Sequence, residues 1–487
     1  MKVSRLAIPI VLCLLTGCQS VRQTERSRPA PDGERLAQRD GHLPIQSGWP
    51  DQLQTQHASW QSANDAVTSN VRSATFIEGD PPAPAFDIRG LPAGDDYPLT
   101  LEWLQETALA SQPAIAQAAA EVAALQGKWM QAGLAPNPSI GYLGGEMGDV
   151  GTAGQQGGFV RQQFITGGKL GLSRAVICEE ILRAEQRLAA QQQRVLTDVN
   201  TAFYDVLLAQ RTLEVAGELV VISDQAVETS QQLLDAKEIP LVGLLQTQVV
   251  AHNAQIVKRR AENANTAAWR RLTSVLGQPH MLPRRLDGEL EWIANELHWK
   301  EQLERLLAES PEIAIAASEL SRARWALDRA HAEVVPDLSV QVAVQHGNVT
   351  DDTLASVQVQ LPIPLWNKNQ GGIEQALSEI TAAERNIDRV ELDLRQRLAS
   401  AFQRYSDARY QVAEISEEIL PLAKETFELV TQGFEQGEVG YLDLLTAQRT
   451  FFQTSLSHID ALRELWRAAI RIDGLLLDGS LSRGQEP

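Results

Sequence analysis

Six histidines fall where the chain has regular apolar patterning: His252, His280, His298, His331, His346 and His458. None stands four residues from another or beside a cysteine. Zinc-type centres need such convergent nitrogen and sulfur donors, so metal-centred chemistry has little support. Gly167-Gly168-Lys169 follows a strand-like stretch and opens a helix, but the rest of a phosphate-cradling loop is missing, so nucleotide hydrolysis is not indicated. Carboxylates are scattered along helix faces with arginine partners, as solvated faces require. No enzymatic constellation emerges. The remaining reactive groups are thiols: Cys13, Cys18 and Cys178. Cys178 sits alone in a helical pattern, where a free cysteine behaves as a small buried hydrophobe.

Cys18 has a specific chemistry available. Lys2 and Arg5 begin a charged start, Leu6 to Leu15 is an apolar run too short for a stable span, and Leu15-Thr16-Gly17-Cys18 closes it. This pattern resembles a bacterial lipoprotein signal, cleaved before the cysteine so that its thiol and amine take fatty acids such as palmitate. A secretory leader with an incidental cysteine is the plainer alternative. Residue 19 is Gln rather than Asp, which by resemblance to lipoprotein sorting favours the outer membrane. With Cys13 removed and Cys18 acylated, Cys178 has no partner for an intramolecular disulfide.

The elements that must carry such an anchored chain are unusually long. From Gly371 to Gly437, apolar or small residues recur at Ile380, Ala383, Ile387, Val390, Leu394, Leu398, Ala401, Tyr405, Ala408, Val412, Ile415, Ile419, Leu422, Thr426 and Leu429. Steps of three and four with one skip are a heptad with a stutter. Sixty-odd residues at ~1.5 Å each give roughly 100 Å, more than any compact domain needs.

The plan occurs twice. Ser310-Pro311 stands where the first half has Gln112-Pro113, Pro336-Asp337-Leu338 matches Pro138-Ser139-Ile140, and Ala401-Phe402 matches Ala202-Phe203. Leu444-Leu445 matches Leu244-Leu245, and Gln448 matches Gln248. The offset stays near 200 residues throughout, so the chain is internally duplicated. Each copy reads as a helix of about 35 residues, two strands, a helix of about 66, a turn, and a helix of about 36. Two short helices stacked end to end match one long helix beside them. The segments are a leader at 1–17, an extended Pro- and Gln-rich spacer at 18–97, and a first repeat at 98–279. A connector at 280–297, a second repeat at 298–478 and a tail at 479–487 complete the chain. A short strand or helix is expected around Leu290 to Ile293.

In the second copy, Val340, Val342 and Val344, then Val357, Val359 and Leu361, alternate with polar residues. Period two with one apolar face suits a barrel wall between lipid and water, and equally a sheet on a soluble core. No run after the leader reaches ~18 apolar residues, so a membrane crossing has to be made of strands. Four strands cannot close a barrel that needs at least about eight; two chains supply eight and three supply twelve. The formal charge of −19 argues against a nucleic-acid partner and fits an acidic soluble surface or a cation-preferring lumen.

The lipobox, the duplicated helix–strand–strand–helix–helix plan and the turn Gly437-Glu438-Val439-Gly440-Tyr441-Leu442-Asp443-Leu444-Leu445-Thr446-Ala447-Gln448 together resemble the TolC-like outer-membrane efflux proteins. The resemblance covers residues 98 to 478. It implies a mainly α fold with a small membrane β-barrel part: a homotrimer with a twelve-stranded barrel and a coiled-coil α-barrel tunnel in the periplasm. It implies an outer-membrane exit duct that docks on a periplasmic adaptor protein and is driven by an inner-membrane pump of the RND or ABC class. No step is catalytic, and no cofactor is needed beyond the lipid on Cys18.

In the family, rings of aspartates often narrow the periplasmic end. Here Asp443 aligns with the first such position after a one-residue shift, Thr446 occupies the second, and Gly243 stands opposite Asp443 in the first copy. Three Asp443 carboxylates around one axis would repel, raise their own pKa and attract cations. As a plain first-turn residue, Asp443 would favour its helix dipole. The turns Glu238-Ile239-Pro240 and Glu438-Val439-Gly440 are candidate adaptor contacts or simple helix connections. Gly440 permits a positive φ, and Pro240 suits a helix start. Pro421, inside the long helix, is expected to kink or bulge it. Cargo remains open among metal cations, hydrophobic compounds and polypeptides. Ile239-Pro240-Leu241-Val242 is similar to heavy-metal efflux members. The competing class is a lipid-anchored periplasmic coiled-coil scaffold without a channel.

Overall fold

The computed structural model describes residues 99–148, 151, 153–290 and 296–482. The leader, Cys18, the spacer and most of the element expected at Leu290 to Ile293 lie outside the described residues. The first copy contains α1 (Leu101–Ser111), α2 (Pro113–Ala132), β1 (Ser139–Gly145), β2 (Gln155–Phe164), α3 (Lys169–Asp235) and α4 (Leu241–Val275). The second contains α5 (Trp299–Glu309), α6 (Pro311–Ala332), β3 (Leu338–Gly347) and β4 (Asp352–Gln360). It ends with α7 (Gln370–Glu414), a π-helical turn (Ile415–Ile419), α8 (Leu420–Glu435) and α9 (Tyr441–Asp473).

The first helix of each copy is two helices rather than one. Proline at the first position of α2 and α6 forces the residue before it into extended geometry: Gln112 has φ −74° and ψ 117°, and Ser310 has φ −63° and ψ 121°. The two junctions are satisfied differently. The Ser310 hydroxyl accepts from the Glu312 N–H at 3.3 Å, whereas the Gln112 amide donates to the Val275 carbonyl at 2.6 Å.

The long second-copy helix departs from a single seam at Pro421. A proline cannot donate to the carbonyl four residues back and its ring collides with it. The π-helical turn immediately before it admits one extra residue and relieves that collision. Upstream the expected seam is buried: Val390, Leu394, Leu398, Ala401, Tyr405 and Ala408 are all in the core. Downstream the expected positions Leu422, Thr426 and Leu429 are exposed, and the inward ones are Ala423, Phe427 and Val430. The extra residue has moved the seam on by one. Phe427 now stacks on Phe451 of α9, with ring centroids 5.7 Å apart.

Three apolar clusters hold the helices. One, inside the first copy, centres on Leu104, Val195, Val199, Phe203 and Leu272. Its counterpart centres on Leu306, Leu394, Leu398, Tyr405 and Leu465. A third joins the copies through Leu208 and Val215 of α3 and Phe452, Ile459 and Leu462 of α9. Arg467 of α9 reinforces that join with a two-pronged pair to Asp205 at 2.9 and 3.0 Å. Trp466 also stacks on Tyr204 at 3.7 Å. Among the described residues no helix is long and apolar enough to cross a membrane.

Candidate functional site

The four strands form one antiparallel sheet in the order β1-β2-β3-β4. Directly paired residues share a face, and neighbours along a strand alternate. The register therefore sorts the side chains into rows. Ile140, Val160, Val342 and Val357 form one row across all four strands, and all are exposed, Ile140 by 82%. The next row on that face is Tyr142, Gly158, Val344 and Ala355. The opposite face carries Ser139, Arg161, Gln341 and Gln358 in one row, and Gln163, Ser339 and Gln360 in another. An apolar face turned outward together with a polar opposite face fits a wall between lipid and water. The outer strands β1 and β4 each have one unpaired edge within the chain.

The strands are tied to the helices at a polar junction. Lys169, first residue of α3 and only 5% exposed, bonds Asp337 at 2.8 Å, and the Thr166 N–H donates to the same carboxylate at 3.1 Å. A buried ammonium persists only with such a partner. Gly167 and Gly168 both have φ near +65°, the left-handed geometry that lets the chain turn from strand into helix without a Cβ penalty.

At the other end of the helices, the two expected turns are built alike. Lys237 and Gly437 take left-handed geometry, and the N–H groups of Glu238 and Glu438 each donate at 2.8 Å, to the carbonyls of Leu233 and Gly433. This six-to-one bond is the Schellman closure of a helix C-terminus. Pro240 and Gly440 then cap α4 and α9 in extended geometry, with φ −76° and −75°. The left-handed position is thus Gly437, and Gly440 does not use the positive φ its type allows. A side chain there would meet the Asp443 carboxylate at 3.2 Å. Ile239 and Val439 stand between the Schellman closure and the cap in each copy.

Asp443 lies exposed in the first turn of α9, where it complements the helix dipole. It also lines a shallow cleft of about 220 Å³ between α8 and α9, with Thr426, Thr446 and Thr450. Asp443 and the turn residues thus gather at one end of the chain. A contact that residue spacing did not reveal lies beside them. Tyr441, buried, donates its hydroxyl to the Ala226 carbonyl at 3.1 Å and lies 3.0 Å from the Thr247 hydroxyl. Thr247 is in turn 3.1 Å from Ser230. These bonds fasten the second-copy tip onto α3 and α4 of the first. Leu241 holds the equivalent place in the first copy, so the fastening is one-sided; that Leu-to-Tyr difference was the available signal.

Among the described residues no group of three His, Cys, Asp or Glu side chains is placed to hold a metal. Burial pushes the half-buried His458 of α9 below the usual histidine range. On α3, burial likewise raises the Glu179 carboxyl, with a Trp325 hydrogen bond opposing it.

Two copies of a long helical unit, each inserting a strand pair with a lipid-type face, describe an outer-membrane duct. The family model described as outer membrane efflux protein matches residues 104–278 and again 302–476, and the chain belongs to that family. The chain is 27% identical over 384 residues to the cobalt-zinc-cadmium resistance protein CzcC of Cupriavidus metallidurans, spanning 78% of this chain and 90% of CzcC. Its fold matches CusC, a structure described for transmembrane channel formation, with a TM-score of 0.65 at 17% identity over 78% of this chain and 92% of that one. The open-state MtrE outer membrane channel of Neisseria gonorrhoeae matches with a TM-score of 0.64 at 16% identity, over 78% and 89%. This is therefore an outer-membrane efflux channel, of a family of transport channels rather than enzymes. A scaffold without channel activity is not favoured.

Proposed function

We propose that three copies of this chain close into one duct that passively conducts cargo across the periplasm and outer membrane. It receives that cargo from an inner-membrane pump of the RND or ABC class through a periplasmic adaptor. The open four-stranded sheet carries this reading. Its free edges at β1 and β4 need partner strands, and three chains supply twelve, comfortably above the minimum for a closed barrel. The helices support the same closure. Leu241, Leu245, Val249 and Ile256 form an exposed stripe on α4, and Ile419, Leu422 and Leu429 form another that starts at the end of the π turn. A head-to-tail ring buries one stripe against the other.

At the tip, three Asp443 carboxylates form the narrowest ring, and the turns Glu238-Ile239-Pro240 and Glu438-Val439-Gly440 meet the adaptor. Cys18 carries the lipid that holds the chain to the outer membrane. The similarity to a cobalt-zinc-cadmium resistance protein favours divalent metal cations as cargo. The test is single-channel recording of the purified protein beside Asp443→Ala. Loss of block by divalent cations in the variant is expected, because the ring is their binding site. Unchanged block would remove Asp443 from the gate.

A further inference from the structure

The polar face of the sheet holds one cation whose surroundings are unusual. Arg161, exposed on β2, sits in register with Ser139, Gln341 and Gln358, a row that crosses all four strands. Its Nε and Nη2 both donate to the Gln341 side-chain oxygen, at 2.9 and 2.6 Å, and its guanidinium lies 5.4 Å from the Phe159 ring centroid. These contacts fix the direction of the group without neutralising it, because an amide oxygen and a ring face carry no formal charge. Among the described residues no carboxylate forms an ion pair with Arg161. The acid at the strand–helix junction, Asp337, is taken by Lys169 and the Thr166 N–H.

The other charges of the sheet lie away from it. On the polar face of the strands the remaining formal charge is Asp352, at the β3–β4 turn, and Glu146 stands in the β1–β2 turn. Arg161 is six residues along β2 from Gln155, the residue paired at that end, so about 20 Å separates the acidic mouth from the guanidinium. A strand pair needs no arginine at a water-facing position to be stable. Glutamine, which flanks Arg161 in the register at Gln341 and recurs at Gln163 and Gln358, would serve the ladder equally well. An oriented and unneutralised cation is a costly choice for bracing and an effective one for field.

We infer that Arg161 forms a ring of three guanidinium groups inside the barrel and that this ring sets an anion preference in the membrane-spanning part of the channel. The inference rests on the trimeric-barrel reading above. Fixed rings of Arg or Lys select for anions because the low-dielectric wall focuses their field into the lumen. The channel is then charged with opposite signs at its two ends, carboxylates at the tip and guanidinium groups in the barrel. The divalent cations taken above as cargo then cross this section more readily as anion complexes than as free ions, and free anions are drawn through.

The test is the reversal potential of full-length protein in planar bilayers under a KCl gradient, for wild type, Arg161→Gln and Arg161→Lys. For Arg161→Gln the potassium-to-chloride permeability ratio is expected to rise severalfold. Arg161→Lys, which keeps the charge but loses the paired bonds to Gln341, is expected to stay near wild type. The wild-type preference is also expected to fade above about 1 M salt, where the screening length is about 3 Å. The salt series needs no variant and so stands even if a substitution impairs assembly. Conducting Arg161→Gln channels with wild-type selectivity would overturn the ring and leave the duct intact. A wild-type chain that never conducts would overturn both.

Discussion

Single residues in this chain matter mostly through what they hold in place. Tyr441 is the clearest case, since its hydroxyl is the polar bond from the second-copy tip to the Ala226 carbonyl and the Thr247 hydroxyl. Tyr441→Phe keeps the ring and its packing against Phe434, 5.6 Å away, but removes both bonds between the copies, leaving the Ala226 carbonyl to Ser230 and the Thr247 hydroxyl to Gly243 and Ser230. Losing a hydrogen bond whose partners keep others costs on the order of 0.5–1.5 kcal/mol. The expected outcome is a tip that opens more readily, seen as higher open probability in single-channel recording, with unchanged secondary structure by circular dichroism. His458 adds a pH dependence whose sign follows from its burial. Its folded pKa is depressed, so on acidification the unfolded chain takes the proton first. Its contribution to stability is fully present above about pH 6.5 and is lost as pH falls toward the folded value. Thermal unfolding of wild type is expected to drop between neutral and mildly acid pH by more than that of His458→Asn.

At the scale of elements, the π turn and Pro421 decide which face of α8 is available to a neighbour. The heptad read from residue types runs straight through Ile419, Leu422, Thr426 and Leu429. The fold instead turns Ala423, Phe427 and Val430 inward and leaves the expected stripe outside. Proline announced a disturbance there, but residue types could not say whether the helix would kink or absorb one residue. That choice depends on Phe427 meeting Phe451 across α9, a contact distant in sequence. Deleting Glu418 restores the uninterrupted register and turns Leu422 and Leu429 inward. The expected outcome is a chain that folds with the same helix content yet fails to form the proposed trimer, measured by native mass. The tip turns were legible as turns for the opposite reason. Their Schellman bonds are local, and the Pro240 and Gly440 signals sit within a few residues of them. The left-handed residue was not legible in the first copy, because it is Lys237, a type that gives no such signal.

Over the whole molecule, duplication and length were the readable features, because both are properties of the chain's period. The strand faces were readable in the second copy, where valines alternate with glutamines, and less so in the first. There Gly157 and Gly158 blur the pattern and only the register with β3 assigns the faces. The Arg161 row was invisible for the same reason: on its β3 side Arg161 meets a residue 180 positions away. What the chain cannot complete alone follows from the same architecture. One copy presents a sheet with two open edges, an apolar face and two unpartnered helical stripes, so the account's central claim is that three copies close on one another.

The most direct measurement is the extraction and mass of the Cys18→Ser protein, in which the proposed lipid attachment site is removed. If the strands form a barrel, the variant stays in the outer-membrane fraction until detergent is added and then runs as a heat-resistant trimer. Release into the soluble fraction as a monomer would contradict the account.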